Sequence, residues 1–120
     1  MVWNVQTYHD RRGRDVIVSF LRELNEDGRA KSATKVIRSI DLLRDSGFLL
    51  PDEIVRTVRG DLWELRATHQ RNRYRILFYN PVGRTLVLLH AIQKKQSAIS
   101  ESDIVKAMDR MAEDRRRRGL

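Results

Sequence analysis

Apolar residues recur along this chain at two different spacings, and the change between them constrains the fold more than any other feature. Between residues 16 and 43 they follow the three- and four-residue spacing of amphipathic helices, interrupted at Gly28 and ended at Gly47. From residue 62 to residue 92 they alternate with polar residues or form short runs between turn residues, as in β-strands. This order predicts an α+β fold in which a helical hairpin packs on one face of a mainly antiparallel sheet.

Each end of the chain adds one predicted element. Residues 2–9 alternate and are rich in β-forming types, which predicts a first strand. Ser100 and Asp103 form an S-x-x-D capping box, which predicts the start of a C-terminal helix. The predicted order is β-α-α-β-β-β-β-α in one domain over residues 1–114. We expect residues 115–120 to form a disordered basic tail, because four adjacent arginines repel one another.

The positive charge of the chain is concentrated rather than spread. Lys and Arg outnumber Asp and Glu by 24 to 16, and the formal net charge is +8. Residues 56–95 alone carry a net charge of +7, and the run 115–118 carries +4. Arginines make up 19 of the 24 basic residues, which favours bidentate contacts with phosphate groups. The charge therefore indicates a polyanion such as nucleic acid as the partner.

Several other classes of protein are disfavoured by composition. The chain has no Cys, so a disulfide framework is excluded and a reducing compartment, the cytoplasm, is expected. No apolar run is long enough to cross a membrane, and no membrane partner is expected. Three scattered His residues give no metal-ligand spacing, and no nucleotide-cofactor motif is present, so we expect neither a metal nor a cofactor.

Strand alternation brings several polar side chains toward one face of the predicted sheet. Arg66 and Glu64 share one face of their strand, and neighbouring antiparallel strands place Arg66 near Arg73 or Arg75. In the last strand, His90 falls on the same side as the apolar residues Leu86, Leu88 and Ile92, and Lys94 continues that row. The alternation predicts that one concave area holds Glu64, Arg66, Arg75, His90 and Lys94.

This set of side chains suits the cleavage of RNA. When the 2′-hydroxyl is the nucleophile, the reaction needs a base, an acid and cations that stabilise the phosphorane, but no metal ion. The arginines and Lys94 supply charge, while His90 and Glu64 are the titratable candidates. Two structural interpretations stay open: Arg66 and Glu64 as a surface ion pair, and His90 as a hydrogen-bonded core histidine.

Three motifs together carry a family resemblance that covers most of the chain. They are Leu62-Trp-Glu-Leu-Arg66, Tyr74-Arg-Ile-Leu-Phe-Tyr79 and Leu88-Leu-His-Ala-Ile-Gln-Lys-Lys95. The succession resembles toxins of the HigB/RelE superfamily, in particular the HigB-like branch related to phage-derived proteins. The resemblance implies a RelE-like fold and a toxin of a type II toxin–antitoxin system. It also implies ribosome-dependent cleavage of mRNA. It further implies that a HigA-like antitoxin with a helix-turn-helix domain neutralises the toxin, and that the toxin binds operator DNA only through this antitoxin.

The same resemblance implies roles for individual residues. Arg66 and Arg75 match the arginines that contact the scissile phosphate, and His90 matches the strand histidine of this branch. Lys94 and Lys95 occupy the basic turn after the last strand, and we assign RNA binding to them together with Arg59 and Arg73. One feature departs from the family: many RelE-type toxins have a Tyr shortly after this turn, whereas residues 96–100 contain none.

Two alternatives remain open at this stage. The first is a ParE-like toxin that binds gyrase and has no nuclease activity. The second is a nucleic-acid-binding module without catalysis or toxicity, bound through phosphate contacts alone.

Overall fold

The fold is known from a computed structural model that describes residues 2–94 and 98–120, with only the backbone of Lys94. A short 3₁₀ turn, Gly47–Leu49, follows the second of its three α-helices. In chain order the helices and strands are β1 Asn4–Thr7, α1 Val16–Glu26, α2 Ala30–Ser46, β2 Val55–Arg59, β3 Leu62–His69, β4 Asn72–Val82, β5 Thr85–Lys94 and α3 Glu101–Arg118. This order confirms the predicted α+β class and the sequence of its elements.

The five strands form one sheet in the order β1-β5-β4-β3-β2. Strand β1 runs parallel to β5, and every other neighbouring pair is antiparallel. The hairpin of α1 and α2 lies against one face, where Leu65, Ile76 and Phe78 join its core. The other face packs against α3, where Leu77 and Tyr79 meet Met111. Glu64, Arg66 and Arg75 lie beside Ile99 and Ile104, next to the first turn of α3.

The end of α3 differs from the prediction of a disordered tail. Residues 115–118 form the last turn of the helix, and Gly119 ends it in the left-handed conformation. Three of the four arginines each pair with an acidic side chain, and these pairs offset the repulsion among the arginines. Arg115 Nη2 lies 2.6 Å from Asp61, Arg117 pairs with Glu113, and Arg118 Nε donates to Asp114 at 2.7 Å.

A β-bulge in β5 changes which side chains share a face. His90 pairs with Leu77 and Leu88 pairs with Phe78, so Leu89 is an extra residue between them. Leu88 therefore packs under the helical hairpin, whereas His90 faces α3. The prediction that His90 shares a side with Leu86 and Leu88 is wrong, because simple alternation does not continue through the bulge.

Helix α2 ends where the chain comes close to Trp3. Gly47 has φ +53°, a region that favours glycine, and a Cβ atom there would overlap the indole of Trp3. The Trp3 ring contacts Phe48 edge-on, with the ring centroids 5.4 Å apart. In the residues described, no helix combines the length and apolar character needed to cross a bilayer.

Candidate functional site

Two arginines stand side by side on the central hairpin of the sheet. Arg66 of β3 and Arg75 of β4 are direct partners in the antiparallel register, as the alternation predicts. The β3–β4 turn is tight, and Gln70 at its tip has φ +58°. Because the two residues lie in regular strands packed on both faces, the backbone fixes the spacing between the two side chains.

A buried carboxylate organises these arginines. Arg66 Nε donates to Glu64 Oε1 at 2.6 Å, and Arg75 Nη1 lies 3.6 Å from Glu64 Oε2. Arg56 of β2, the register partner of Glu64, places its Nε 3.7 Å from Oε1. Only 3% of the Glu64 side chain is exposed. One carboxylate thus holds three guanidinium groups in place, and we call these four residues the arginine cluster.

The arginine cluster is electropositive and partly dehydrated. Three guanidinium groups around one carboxylate leave a net charge of +2. Burial lowers the pKa of Arg75, Glu64 opposes this shift, and the neighbouring Arg66, Arg73 and Arg56 add to it. Arginine remains charged despite such a shift, because its ordinary pKa lies far above neutrality. A buried cation among other cations stabilises an incoming anion strongly.

Arg66 and Arg75 line a groove at the edge of the sheet, whereas all four residues of the cluster line a smaller one of about 190 Å³ beside Ile99 and Ile104. Strand β2 pairs with β3 only as far as Leu65, and the next backbone amide, that of Arg66, donates to the Ile54 carbonyl at 2.8 Å. Beyond this point lies a groove of about 460 Å³, lined by Arg66, Arg73 and Arg75 together with residues of α2 and of the loop before β2. We call it the arginine groove. It offers a phosphate ester a charged surface that is open to solvent.

His90 does not join the arginine cluster. Its Nδ1 lies 3.2 Å from Arg110 Nη1, which donates, and its Nε2 lies 2.9 Å from Asp103 Oδ1. Because arginine has no acceptor, Nδ1 must accept and Nε2 carries the proton toward Asp103. Burial is the main cause that lowers the pKa of His90, and the hydrogen bond to Asp103 opposes it. His90 is thus a neutral side chain with both ring nitrogens engaged, and it lines a different cavity, beside Lys106 and Arg110.

The predicted RNA-binding residues are divided by the structure. Arg73 is exposed and lines the arginine groove. Arg59 makes a bidentate contact with Glu101 at the start of α3, at 2.7 and 2.9 Å. This contact raises the pKa of Arg59 and lowers that of Glu101. The backbone of Lys94 pairs with Arg73, and Lys95 lies outside the described residues.

Sequence reasoning missed four residues that shape these sites. Arg56 lies in the basic segment but was not assigned to the site, although V-R-T-V-R alternates and places it beside Glu64. Arg110 and Asp103 are seven residues apart on α3, a spacing that predicts a shared helix face. No sequence signal marks the fourth residue, Tyr74, whose hydroxyl is buried without a hydrogen-bond partner in the described part of the chain.

Most of the chain matches the profile of a known protein family. The profile described as phage derived protein Gp49-like (DUF891) matches residues 19–112, more than three quarters of the chain. No curated protein matches the chain. Over the residues that the structure describes, no three His, Cys, Asp or Glu side chains are grouped so that they could hold a metal ion. The matched segment contains both arginines of the central pair. Because the profile matches most of the chain, the chain belongs to the Gp49-like family of phage-derived proteins, a RelE-like family associated with toxin–antitoxin systems.

Proposed function

We propose that this protein is a HigB-like toxin of a type II toxin–antitoxin system and cleaves mRNA on the ribosome without a metal ion. The observation that carries the proposal is the Arg66–Arg75 pair, held by Glu64 and open to the arginine groove. Membership of a RelE-like family supports the toxin assignment. The excess of guanidinium groups over carboxylates supports a phosphodiester as the ligand.

The proposed reaction is an attack of the 2′-oxygen on the adjacent phosphorus. A bond forms between the 2′-oxygen and phosphorus, and the bond to the 5′-oxygen breaks. The 5′-oxygen takes a proton from solvent and leaves as a 5′-hydroxyl, and a 2′,3′-cyclic phosphate remains. Negative charge accumulates on the phosphorane oxygens in the transition state, and in this proposal the neighbouring Arg66 and Arg75 stabilise it. Arg73 and Lys94, with Lys95, would hold the flanking phosphates of the RNA.

Glu64 serves in this scheme as a positioning residue. Its carboxylate lies within 4 Å of three guanidinium groups, and we assign it the role of holding them in place and not that of accepting the 2′-hydroxyl proton. His90 is unsuited as a base, because Asp103 and Arg110 occupy its two nitrogens. The proton therefore leaves to solvent or to a group of the ribosome. This need for an outside proton acceptor is a physical reason for dependence on the ribosome.

The experiment is inducible expression in bacteria with three variants compared with the wild-type protein. Wild-type protein should arrest growth and stop amino-acid incorporation within minutes. Arg66→Ala, and Arg75→Lys, which keeps the charge but loses the guanidinium geometry, should each restore growth. The matched control is Arg38→Ala on the exposed face of α2, which should stay toxic. DNA breaks with continued translation would contradict the proposal and favour a gyrase poison, and harmless expression would favour a non-catalytic binding module.

The proposed partner is an antitoxin with a helix-turn-helix domain, of the HigA type. A short neighbouring reading frame for such a protein should abolish toxicity when it is co-expressed. Operator DNA should bind to the complex of the two proteins and not to the toxin alone. Retention of operator DNA by the toxin without antitoxin would contradict this arrangement.

A further inference from the structure

We propose that this chain forms a two-fold symmetric homodimer in which Leu49 of each copy enters a cavity beside Trp3 of the other copy. The cavity has a volume of about 330 Å³ and is lined by Trp3, Asp45, Ser46, Phe48, Leu49 and Arg84. We call it the Trp3 cavity. It shares no lining residue with the arginine groove, so the inference does not depend on the proposed function.

A firmly held turn presents Leu49 to solvent. Leu49 is 91% exposed, the highest value among the exposed large apolar residues of the described chain. The preceding residue, Phe48, packs its ring against Trp3 and Trp63, with centroids 5.4 and 4.6 Å away. Gly47 in turn lies directly against the indole of Trp3. Because this packing fixes the turn, little conformational freedom is lost when another molecule covers Leu49.

The surroundings of Leu49 indicate a contact surface and not an isolated exposed side chain. Val2 and Val82 are also exposed, and they lie within two positions of Trp3 and Arg84 in the sequence. The chain segments meet at this end of the sheet, since the Asn4 amide donates to the Arg84 carbonyl at 2.8 Å. Exposed apolar residues that are grouped around a cavity mark a surface that another molecule covers.

The charges of the Trp3 cavity favour a second copy of the chain as that molecule. Arg84 and Asp45 are both exposed and line the same cavity. The Arg84 guanidinium lies over the Trp3 ring, 4.7 Å from its centroid, and Asp45 forms no ion pair within residues 2–94 and 98–120. In a two-fold interface every contact occurs twice with the roles of the copies exchanged. Arg84 of each copy then faces the partner's Asp45.

This surface is therefore complementary to itself in shape and in charge. It carries a protruding leucine together with an apolar cavity, and a cation together with an anion. A purely acidic or purely basic partner would match only one of the two charges, whereas a second copy matches both.

Light scattering of the purified full-length protein between about 1 and 100 µM measures the association. The mass should rise toward that of two chains, with a roughly micromolar Kd, as expected for a small interface. Leu49→Glu should raise the Kd about hundredfold or more, because each dimer loses two buried leucines. The matched control is Ile37→Glu, at an exposed residue of α2 that lines neither the Trp3 cavity nor the arginine groove, and it should dimerise normally.

Two charge reversals test the symmetry of the interface. Asp45→Arg and Arg84→Glu should each be monomeric where the wild-type protein is dimeric, because each places like charges opposite one another. A mixture of the two variants should form a heterodimer, since every pair across the interface is then of opposite sign. Thermal unfolding followed by circular dichroism should show that each variant is folded.

The outcomes separate this inference from the proposed function. A wild-type monomer at all concentrations, an unchanged Kd in Leu49→Glu, or a mixture that stays monomeric would overturn the inference, even if mRNA is cleaved. A wild-type monomer that loses antitoxin binding in Leu49→Glu would also overturn it and assign the surface to the antitoxin. A dimer that Leu49→Glu disrupts and the mixed variants restore would support it, even if the protein cuts no RNA.

Discussion

Replacing Glu64 by Gln should destabilise the protein more than any other single change in the arginine cluster. The carboxylate and the Arg75 side chain are 3% and 4% exposed, so the substitution removes a negative charge that lies 3.6 Å from a buried guanidinium. Breaking a buried ion pair by removing one partner costs about 3–5 kcal/mol. Arg66 and Arg56 reach solvent with 30% and 51% of their side chains exposed, and their repulsion is screened. We therefore expect a loss near the lower limit, about 3 kcal/mol.

Urea unfolding followed by the fluorescence of Trp3 and Trp63 measures this loss. With a slope of about 1.5 kcal/mol per molar urea, the midpoint should fall by roughly 2 M. The matched control is Glu26→Gln at the exposed end of α1, which should change stability by less than about 0.5 kcal/mol.

A double variant tests the cause of the loss. Adding Arg75→Met to Glu64→Gln removes the buried charge as well, and at least half of the lost stability should return. A loss below about 1 kcal/mol in Glu64→Gln, or no recovery in the double variant, would refute the idea that Glu64 neutralises a buried cation.

Three further predictions concern other parts of the fold. Gly47→Ala should lower the free energy of unfolding by about 3 kcal/mol, because the left-handed backbone and the overlap with Trp3 both oppose a Cβ; normal stability in thermal unfolding would contradict this. Arg118→Ala should cost about 1.5 kcal/mol in urea, since Asp114 is 8% exposed and loses a charged partner; an unchanged midpoint would instead indicate a frayed tail. His90 has a folded-state pKa below its ordinary 6.5, so the unfolded chain binds more protons and stability should fall as pH drops below about 6.5. His90→Gln should reduce the difference between urea midpoints at pH 7.5 and 5.5, and an unchanged difference would assign the pH dependence to other groups.

The parts of the fold that follow local rules were predictable from the sequence. Ser100 caps α3, and its Oγ accepts from the Asp103 amide at 3.2 Å, as the capping box predicts. Gly47 ends α2, and the pairing of Arg66 with Arg75 follows from alternation across a short turn. Each of these depends on residues that are close in sequence, or on a hairpin whose turn fixes the register.

The predictions that were wrong concern features that depend on contacts between distant segments of the chain. Tertiary packing determines the bulge before His90 and the contacts of that side chain with α3. The alternation of residues within β5 carries no information about either. The order of residues 115–118 likewise depends on partners elsewhere, such as Asp61 for Arg115. Charge counting predicted repulsion along the tail, but the folded chain supplies the opposite charges.

The central claim is that Arg66 and Arg75 stabilise an attack by the RNA's own 2′-oxygen. The most direct test uses purified protein and ribosomes programmed with two mRNAs that differ only by a 2′-deoxy substitution at the cut nucleotide. The account predicts a 2′,3′-cyclic phosphate end on the all-ribose mRNA and no cleavage of the substituted mRNA. Cleavage of the substituted mRNA at the same position, or an unchanged rate in Arg66→Ala, would contradict it.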